Sequence, residues 1–261
     1  MTVASNALVE AIETSIFVYP EIPGAFEMLR ERGLRGRITA VSHPLANLVG
    51  DAHLSASEAD ATIRRVRERF ARERKMFGWI TGPSTRPDDL PSRLQAAGLM
   101  KAEELAGMAL HELALPIETN PALEVREAFA RDAPALEGVM VPGYGLPLDV
   151  VRVLNAAFFA ELAFKRRIYL AYFNGEPIAA AYLVNLPGSS IVLLGGAATL
   201  PEHRGKGAYT ALVAKRLADA RSDGAEAAVI QAVRSTSAPI CRNLGFEELC
   251  ALELYAWFPP T

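Results

Sequence analysis

Residues Pro201-Glu-His-Arg204-Gly205-Lys206-Gly207-Ala208-Tyr209 place two glycines and two basic side chains in one short stretch. That composition suits an anion. Glycine lets a backbone turn with its N–H groups facing one point, a helix after the turn adds the positive end of its dipole, and Arg204 and Lys206 bring charge. A diphosphate is the natural guest. The glycine spacing and the missing Lys-Ser/Thr ending exclude a nucleoside-triphosphate P-loop, and the three-glycine dinucleotide fingerprint is incomplete. Taken alone, the turn is also open to a plain reading in which glycine only serves a strand-to-helix reversal.

The other reactive side chains narrow the chemistry further. Cys241 and Cys250 are the only cysteines, too few for a disulfide framework or a zinc site, and are read as reduced thiols. His43, His53, His111 and His203 show no metal-ligand spacing, so no metal is expected. The basic run from Arg64 to Lys75 is interleaved with Glu68 and Glu73 at helical neighbour spacing, the mark of a solvated or interdomain face.

The anion turn needs elements to hold it. Ser190 to Thr199 is a continuous apolar strand leading into the turn, and Ala208 to Ser222 is a helix leaving it, stopped by Asp223-Gly224. A short strand from Ala227 to Ala232 follows, then a polar turn, Ser235-Thr236-Ser237, a short helix ending at Leu244-Gly245-Phe246, and a last strand from Cys250 to Trp257. Upstream, Leu123 to Arg131 and Leu148 to Glu161 are expected helices, the second with Pro147 before its start. Tyr169 to Phe173 and Pro177 to Val184 are strands joined by Asn174-Gly175, a hairpin signal.

The first half echoes this pattern. Phe77 to Ile80 reads as a strand, Asp89 to Ala97 as a short helix, and Met108 to Leu113 as part of a strand after Gly98, with the helix Ser57 to Lys75 ahead of them. Asp51-Ala-His-Leu-Ser-Ala-Ser57 stands where a glycine-rich turn would be. Pro- and Asn-bearing residues 115–121 read as a linker, dividing the chain into 1–115 and 122–261. Trp79 and Trp257 fall in echoing strands and are expected in the core.

The run Ala197-Ala-Thr-Leu-Pro-Glu-His-Arg-Gly-Lys-Gly-Ala208, the helix and buried strand after it, and Arg242-Asn-Leu-Gly-Phe246 about forty residues on resemble the GNAT superfamily of acyl-CoA-dependent N-acyltransferases. The likeness covers roughly 122–261, and the two-copy layout resembles tandem GNAT proteins with a degenerate first copy. It implies an α/β fold, α+β in its mixed sheet: two GNAT-like domains, each a twisted, mostly antiparallel sheet flanked by helices. It also implies acetyl-CoA as cofactor, with the diphosphate on the backbone of Gly205, Lys206, Gly207, Ala208, Tyr209 and Thr210 near Arg204. The pantetheine would pair like an added strand with Ala197, Ala198 and Thr199, and Ser235 and Ser237 join the cofactor set.

Three departures or open roles concern catalysis. The motif Arg204-x-x-Gly207 ends in Tyr209, where the pattern has Gly or Ala. Cys241 occupies the place of the tyrosine that protonates the leaving thiolate, so a thiol acid, a buried structural cysteine and a nucleophilic cysteine are all open. Gln231 stands near the family's carboxylate base and cannot replace it, being left as a polar contact at the acyl centre or a satisfied amide. By analogy the backbone N–H near Ala198 is the oxyanion donor. Tyr144, in Val141 to Pro147, is the expected substrate contact.

Composition sets the outer limits. A chain of 261 residues that is 51% hydrophobic buries a large core, and a net charge of −3 gives no basic excess to draw it to nucleic acid. There is no apolar run long enough for a membrane span, and Met1 to Glu21 has no leader pattern, so a cytoplasmic protein is expected. The expected activity is direct transfer of an acetyl group from acetyl-CoA to a primary amine of a small molecule or peptide, with a homodimer left open. The alternative is a catalytically idle acyl-CoA-binding or regulatory protein.

Overall fold

The computed structural model describes residues 3–259; Met1, Thr2, Pro260 and Thr261, which the expected domain ranges include, lie outside the described residues. In chain order the elements are α1 Ser5–Thr14, β1 Glu27–Met28, β2 Arg35–Ile38, β3 Leu48–Gly50, α2 Ala59–Arg72, β4 Phe77–Thr81, α3 Leu90–Ala96 and β5 Met100–Leu110. Then come β6 Leu123–Ala128, α4 Ala133–Tyr144, α5 Leu148–Phe159, β7 Arg166–Phe173, β8 Glu176–Asn185 and β9 Ile191–Thr199. The chain ends with α6 Ala208–Ser222, β10 Ala227–Val233, α7 Ser237–Asn243 and β11 Glu247–Trp257.

All the strands join one mixed sheet in the order β1-β2-β3-β4-β11-β5-β10-β9-β8-β7-β6. Two neighbour pairs are parallel, β3 with β4 and β9 with β10, and the rest are antiparallel. The echoing segments exchange their last strands. β5, from the first half, pairs with β10 of the second, while β11, from the second, pairs with β4 of the first. The two exchanged strands run side by side at the centre, from Glu247 opposite Ala109 to Ala256 opposite Met100. The exchange ties the cores together. Tyr255 and Trp257 on β11 fill the cluster around Phe70, Phe77 and Trp79, whereas Ala106, Met108 and Leu110 on β5 fill the cluster beneath α6.

Helices α2, α3, α6 and α7 cover one face, and α1, α4 and α5 cover the other. Trp79 and Trp257 are both core residues. The expected helix from Leu123 to Arg131 is instead the strand β6, in register with β7 from Leu123 opposite Phe173 to Ala128 opposite Ile168. Its Leu-Glu-Val-Arg alternation has period two, and an edge strand needs only one buried row. The helix in this region is α4, whose start carries Pro134 and whose end is capped by Gly145 at φ +68°. No helix among the described residues is long and apolar enough to cross a membrane.

Candidate functional site

Strands β9 and β10 pair only at Ile191–Leu193 against Ala227–Val229, and then part. Beyond that point β9 follows β8 and β10 follows β5, so a wedge opens between them. A bulge on β9 adds to the divergence: Tyr182 pairs with Gly195 and Ala181 with Ala197, leaving Gly196 unpaired at φ +30°. A Cβ at Gly196 would lie 2.8 Å from the Tyr144 hydroxyl and 2.9 Å from the Tyr182 ring, so only glycine fits.

The wedge holds a cavity of about 570 Å³, a size suited to a cofactor. Ala197 and Thr199 form one wall; Val233, Thr236, Ser237 and Ile240 form the other. Its mouth is the expected anion turn, with Arg204, Gly205 and Gly207, and the first residues of α6, Ala208, Tyr209 and Thr210. Gly205 and Gly207 take φ of +79° and +85°, and Gly207 caps α6. The first N–H groups of a helix lack an intrahelical acceptor, so this turn presents donors and a positive dipole end at the cavity mouth. Gly143 and Tyr144, at the end of α4, close the lining.

The expected site residues divide sharply. Arg204 lines the cavity and ties the turn to α4 by donating to the Gly143 carbonyl at 3.1 Å. Lys206 turns aside: its ammonium lies 3.1 Å from His203 Nδ1 and 4.8 Å from the centre of the Phe173 ring, and it is not among the lining residues. Ser237 lines the wall but its hydroxyl accepts from the Val233 N–H at 2.9 Å, and exposed Ser235 lies outside the lining. The Ala198 side chain faces the α4 cluster instead of the cavity.

Of the two readings left open for Gln231, the structure has the satisfied amide and not the contact at the acyl centre. Its Nε2 donates to the Ile12 carbonyl at 2.5 Å and to Ser15 Oγ at 3.0 Å, so the amide is spent on α1 and the turn after it. Alternation along β10 explains this, because Ala228, Ile230 and Ala232 face α6 while Val229 and Gln231 face α1. Cys241 is fully buried on α7 and lies outside the lining; its Sγ is 3.2 Å from the Tyr209 hydroxyl. Burial pushes this thiol up, against the opposing pull of the Tyr209 hydrogen bond and the Arg216 charge. A nucleophilic thiolate is therefore disfavoured at this position. Tyr144 reaches the bulge at Gly196, and burial of its hydroxyl end raises its pKa, holding the phenol protonated.

Two features escaped the sequence reading. Arg216 on α6 is fully buried; it donates from Nε to the Leu212 carbonyl at 3.0 Å and from Nη1 to the carbonyls of Tyr182 at 3.0 Å and Gly195 at 3.3 Å. It clamps the helix to the bulge, and burial lowers its pKa. Its Nη2 has no hydrogen-bond partner. An arginine on the apolar stripe, four residues after Leu212 and one before Leu217, was the available signal. The other feature is Gly195-Gly196, since glycines inside a strand mark bulges.

The corresponding wedge in the first half is closed. β3 and β4 pair only at Leu48 with Gly78 and Val49 with Trp79. Where the second half has its glycine turn, Asp51 sits at φ +49° and pairs with Arg35 at 2.9 Å and His53 at 3.0 Å. Glu13 from α1 enters the gap, accepts from the Ser84 N–H at 2.9 Å and packs against Gly82. A void of only about 10 Å³ remains among Glu13, Asp51, Thr81, Gly82 and Thr85. Among the described residues no group of three or more histidine, cysteine or acidic side chains could hold a metal.

A parallel strand pair splayed over a glycine turn, with a helix starting at its mouth, is the arrangement that the GNAT resemblance leads one to expect. Residues 152–249 match the family model described as an acetyltransferase (GNAT) domain. A GCN5-related N-acetyltransferase from Kribbella flavida superposes with a TM-score of 0.67 at 18% identity, over 100% of this chain and 97% of that one. A tandem GNAT protein from the clavulanic acid biosynthesis pathway gives 0.59 at 14% identity, covering 100% and 98%. A GCN5-related N-acetyltransferase from Sphaerobacter thermophilus gives 0.63 at 14%, covering 87% and 78%. At these identities the likeness is one of fold. No curated protein matches the sequence.

Proposed function

We propose that the chain transfers an acetyl group directly from acetyl-CoA to a primary amine of a small molecule or peptide, in the wedge of residues 122–261. The observation that carries this reading is the continuous cavity from the glycine turn at Gly205–Gly207, past Ala197 and Thr199, to the walls at Val233 and Ile240. The residues fit the cofactor. Two positive-φ glycines and the start of α6 offer N–H donors to a diphosphate, and Arg204 adds one charge at the mouth. Ala197 and Thr199 have small side chains, leaving room for a chain laid along β9. Acetyl-CoA supplies the activated thioester; the chain supplies position.

The protein's own groups then have limited roles. The turn anchors the anion, and the bulge held by Arg216 fixes where β9 leaves β10. The main-chain N–H near Ala198, beside that bulge, is the proposed oxyanion donor, and correct placement supplies the largest share of the acceleration. No carboxylate lines the cavity among the described residues, and His203, which does, has its Nδ1 3.1 Å from the Lys206 ammonium, so the amine is assigned water as its proton acceptor. That same observation supports a second reading, an acyl-CoA-binding protein without catalysis.

Thiol release from acetyl-CoA, measured across a panel of primary amines, separates the two. Amine-dependent release with acetylated product supports transfer. Acetyl-CoA binding without release against any amine supports the idle reading, and a protein that binds no acetyl-CoA contradicts both.

A further inference from the structure

The anion turn continues into a tyrosine whose position no role above explains. Tyr209 lies in the first turn of α6 and lines the cavity, yet its hydroxyl points to a sulfur, 3.2 Å from Cys241 Sγ. A thiol is a poor hydrogen-bond partner, so this hydroxyl is held loosely compared with others at the site. Ser237 Oγ is engaged by a backbone N–H, and Tyr182 Oη reaches both Asn155 Oδ1 and Met140 Sδ at 2.8 Å. Behind the Tyr209–Cys241 pair stands Arg216, two turns further along the same helix, fully buried, with no carboxylate among its hydrogen-bond partners and Nη2 unpartnered. A buried cation without a counter-ion is costly, and it favours negative charge developing nearby.

We infer that Tyr209 Oη is the hydrogen-bond donor to the sulfur of a thioester held in the wedge, with Cys241 Sγ as the resting partner from which the hydroxyl swings. The inference rests on the acyl-CoA reading above and adds a residue to it. As the carbon–sulfur bond breaks, its electron pair goes to sulfur and the Tyr209 O–H is shared with it. The amine gives its proton to water, and water returns one to the sulfur, so the phenol is unchanged after a cycle. Burial raises the pKa of Tyr209, with Cys241 adding to the rise and Arg216 opposing it, so the hydroxyl keeps its proton at neutral pH. Cys241 cannot donate to the sulfur itself, being fully buried and outside the cavity lining. The two helices are complementary here, since α7 provides a small residue and α6 reaches across with a large one.

The test compares wild type with Tyr209→Phe, which keeps the ring and removes only the hydroxyl. CoA is titrated into each protein, and ionisation of the bound CoA thiol is followed by thiolate absorbance against the CoA-free protein as blank. Loss of a donor to the thiolate should raise the thiol's apparent pKa by about one pH unit or more in the variant, with CoA affinity at neutral pH within about twofold. Thiol release from acetyl-CoA with hydroxylamine as a small acceptor should fall about tenfold or more in kcat, with KM for acetyl-CoA little changed. Equal thiol ionisation in the two proteins overturns the role of Tyr209 while leaving the acyl-CoA reading intact. Failure of the wild type to bind CoA overturns both.

Discussion

Two wedges of the same construction end in opposite states. In each half a parallel strand pair holds for two or three residues and then parts, β9 from β10 and β3 from β4. The second wedge keeps a cavity of about 570 Å³, and the first keeps about 10 Å³. Topology sets the opening; three local choices decide whether it stays open. The second half has a glycine bulge, a glycine turn and an arginine clamp at Arg216. The first half has an acidic side chain, Asp51, where an anion would approach, and a carboxylate from α1, Glu13, filling the gap. α1 and the turn after it serve both halves at once, because the carbonyl of Ile12 and the hydroxyl of Ser15 also satisfy Gln231 on β10. A wedge that binds nothing costs packing, so filling it with the chain's own side chain gives the first half a structural role.

Substitutions sharpen this contrast. The largest effect is expected from filling the open wedge. Gly207→Trp should weaken acetyl-CoA binding by roughly a hundredfold or more in calorimetric titration, and unchanged affinity would remove the turn from the site. Because Gly207 sits at φ +85°, this variant also carries backbone strain of about 1–2 kcal/mol. Thr210→Trp, on ordinary helical backbone in the same lining, separates occlusion from strain and should show the same loss. A smaller effect is expected from emptying the closed wedge. Glu13→Ala leaves the Ser84 N–H without its acceptor and should lower stability by about 1–3 kcal/mol in urea unfolding. It should create no second cofactor site, since Asp51 remains and no glycine turn is gained; a second equivalent of bound acetyl-CoA would break the comparison.

Local signals in the sequence carried the site's mouth and little of its depth. Arg204 to Gly207, the helix after them and the strand before them are contiguous, so spacing and glycine placement were enough. The alternating residues of β6 were legible as well, but reading Leu123 to Arg131 as a helix overrode a period-two pattern that pairing with β7 makes decisive. The exchange of β5 and β11 had no local signature. Each strand has the same alternation beside either neighbour, and the choice is made by which core Trp257 and Met108 complete. The two readings of Gln231 could not be separated for a related reason: its strand is legible, but which face points to α6 depends on register set by β5. Glu13 closing a gap formed by residues some seventy positions away is likewise a tertiary fact.

On the proposed acyl-CoA reading one wedge, and only one, takes the cofactor. Calorimetric titration of the full chain with acetyl-CoA tests it most directly through stoichiometry. The structure predicts saturation at one acetyl-CoA per chain, abolished by Thr210→Trp; saturation at two, or at one but undiminished in that variant, would contradict it.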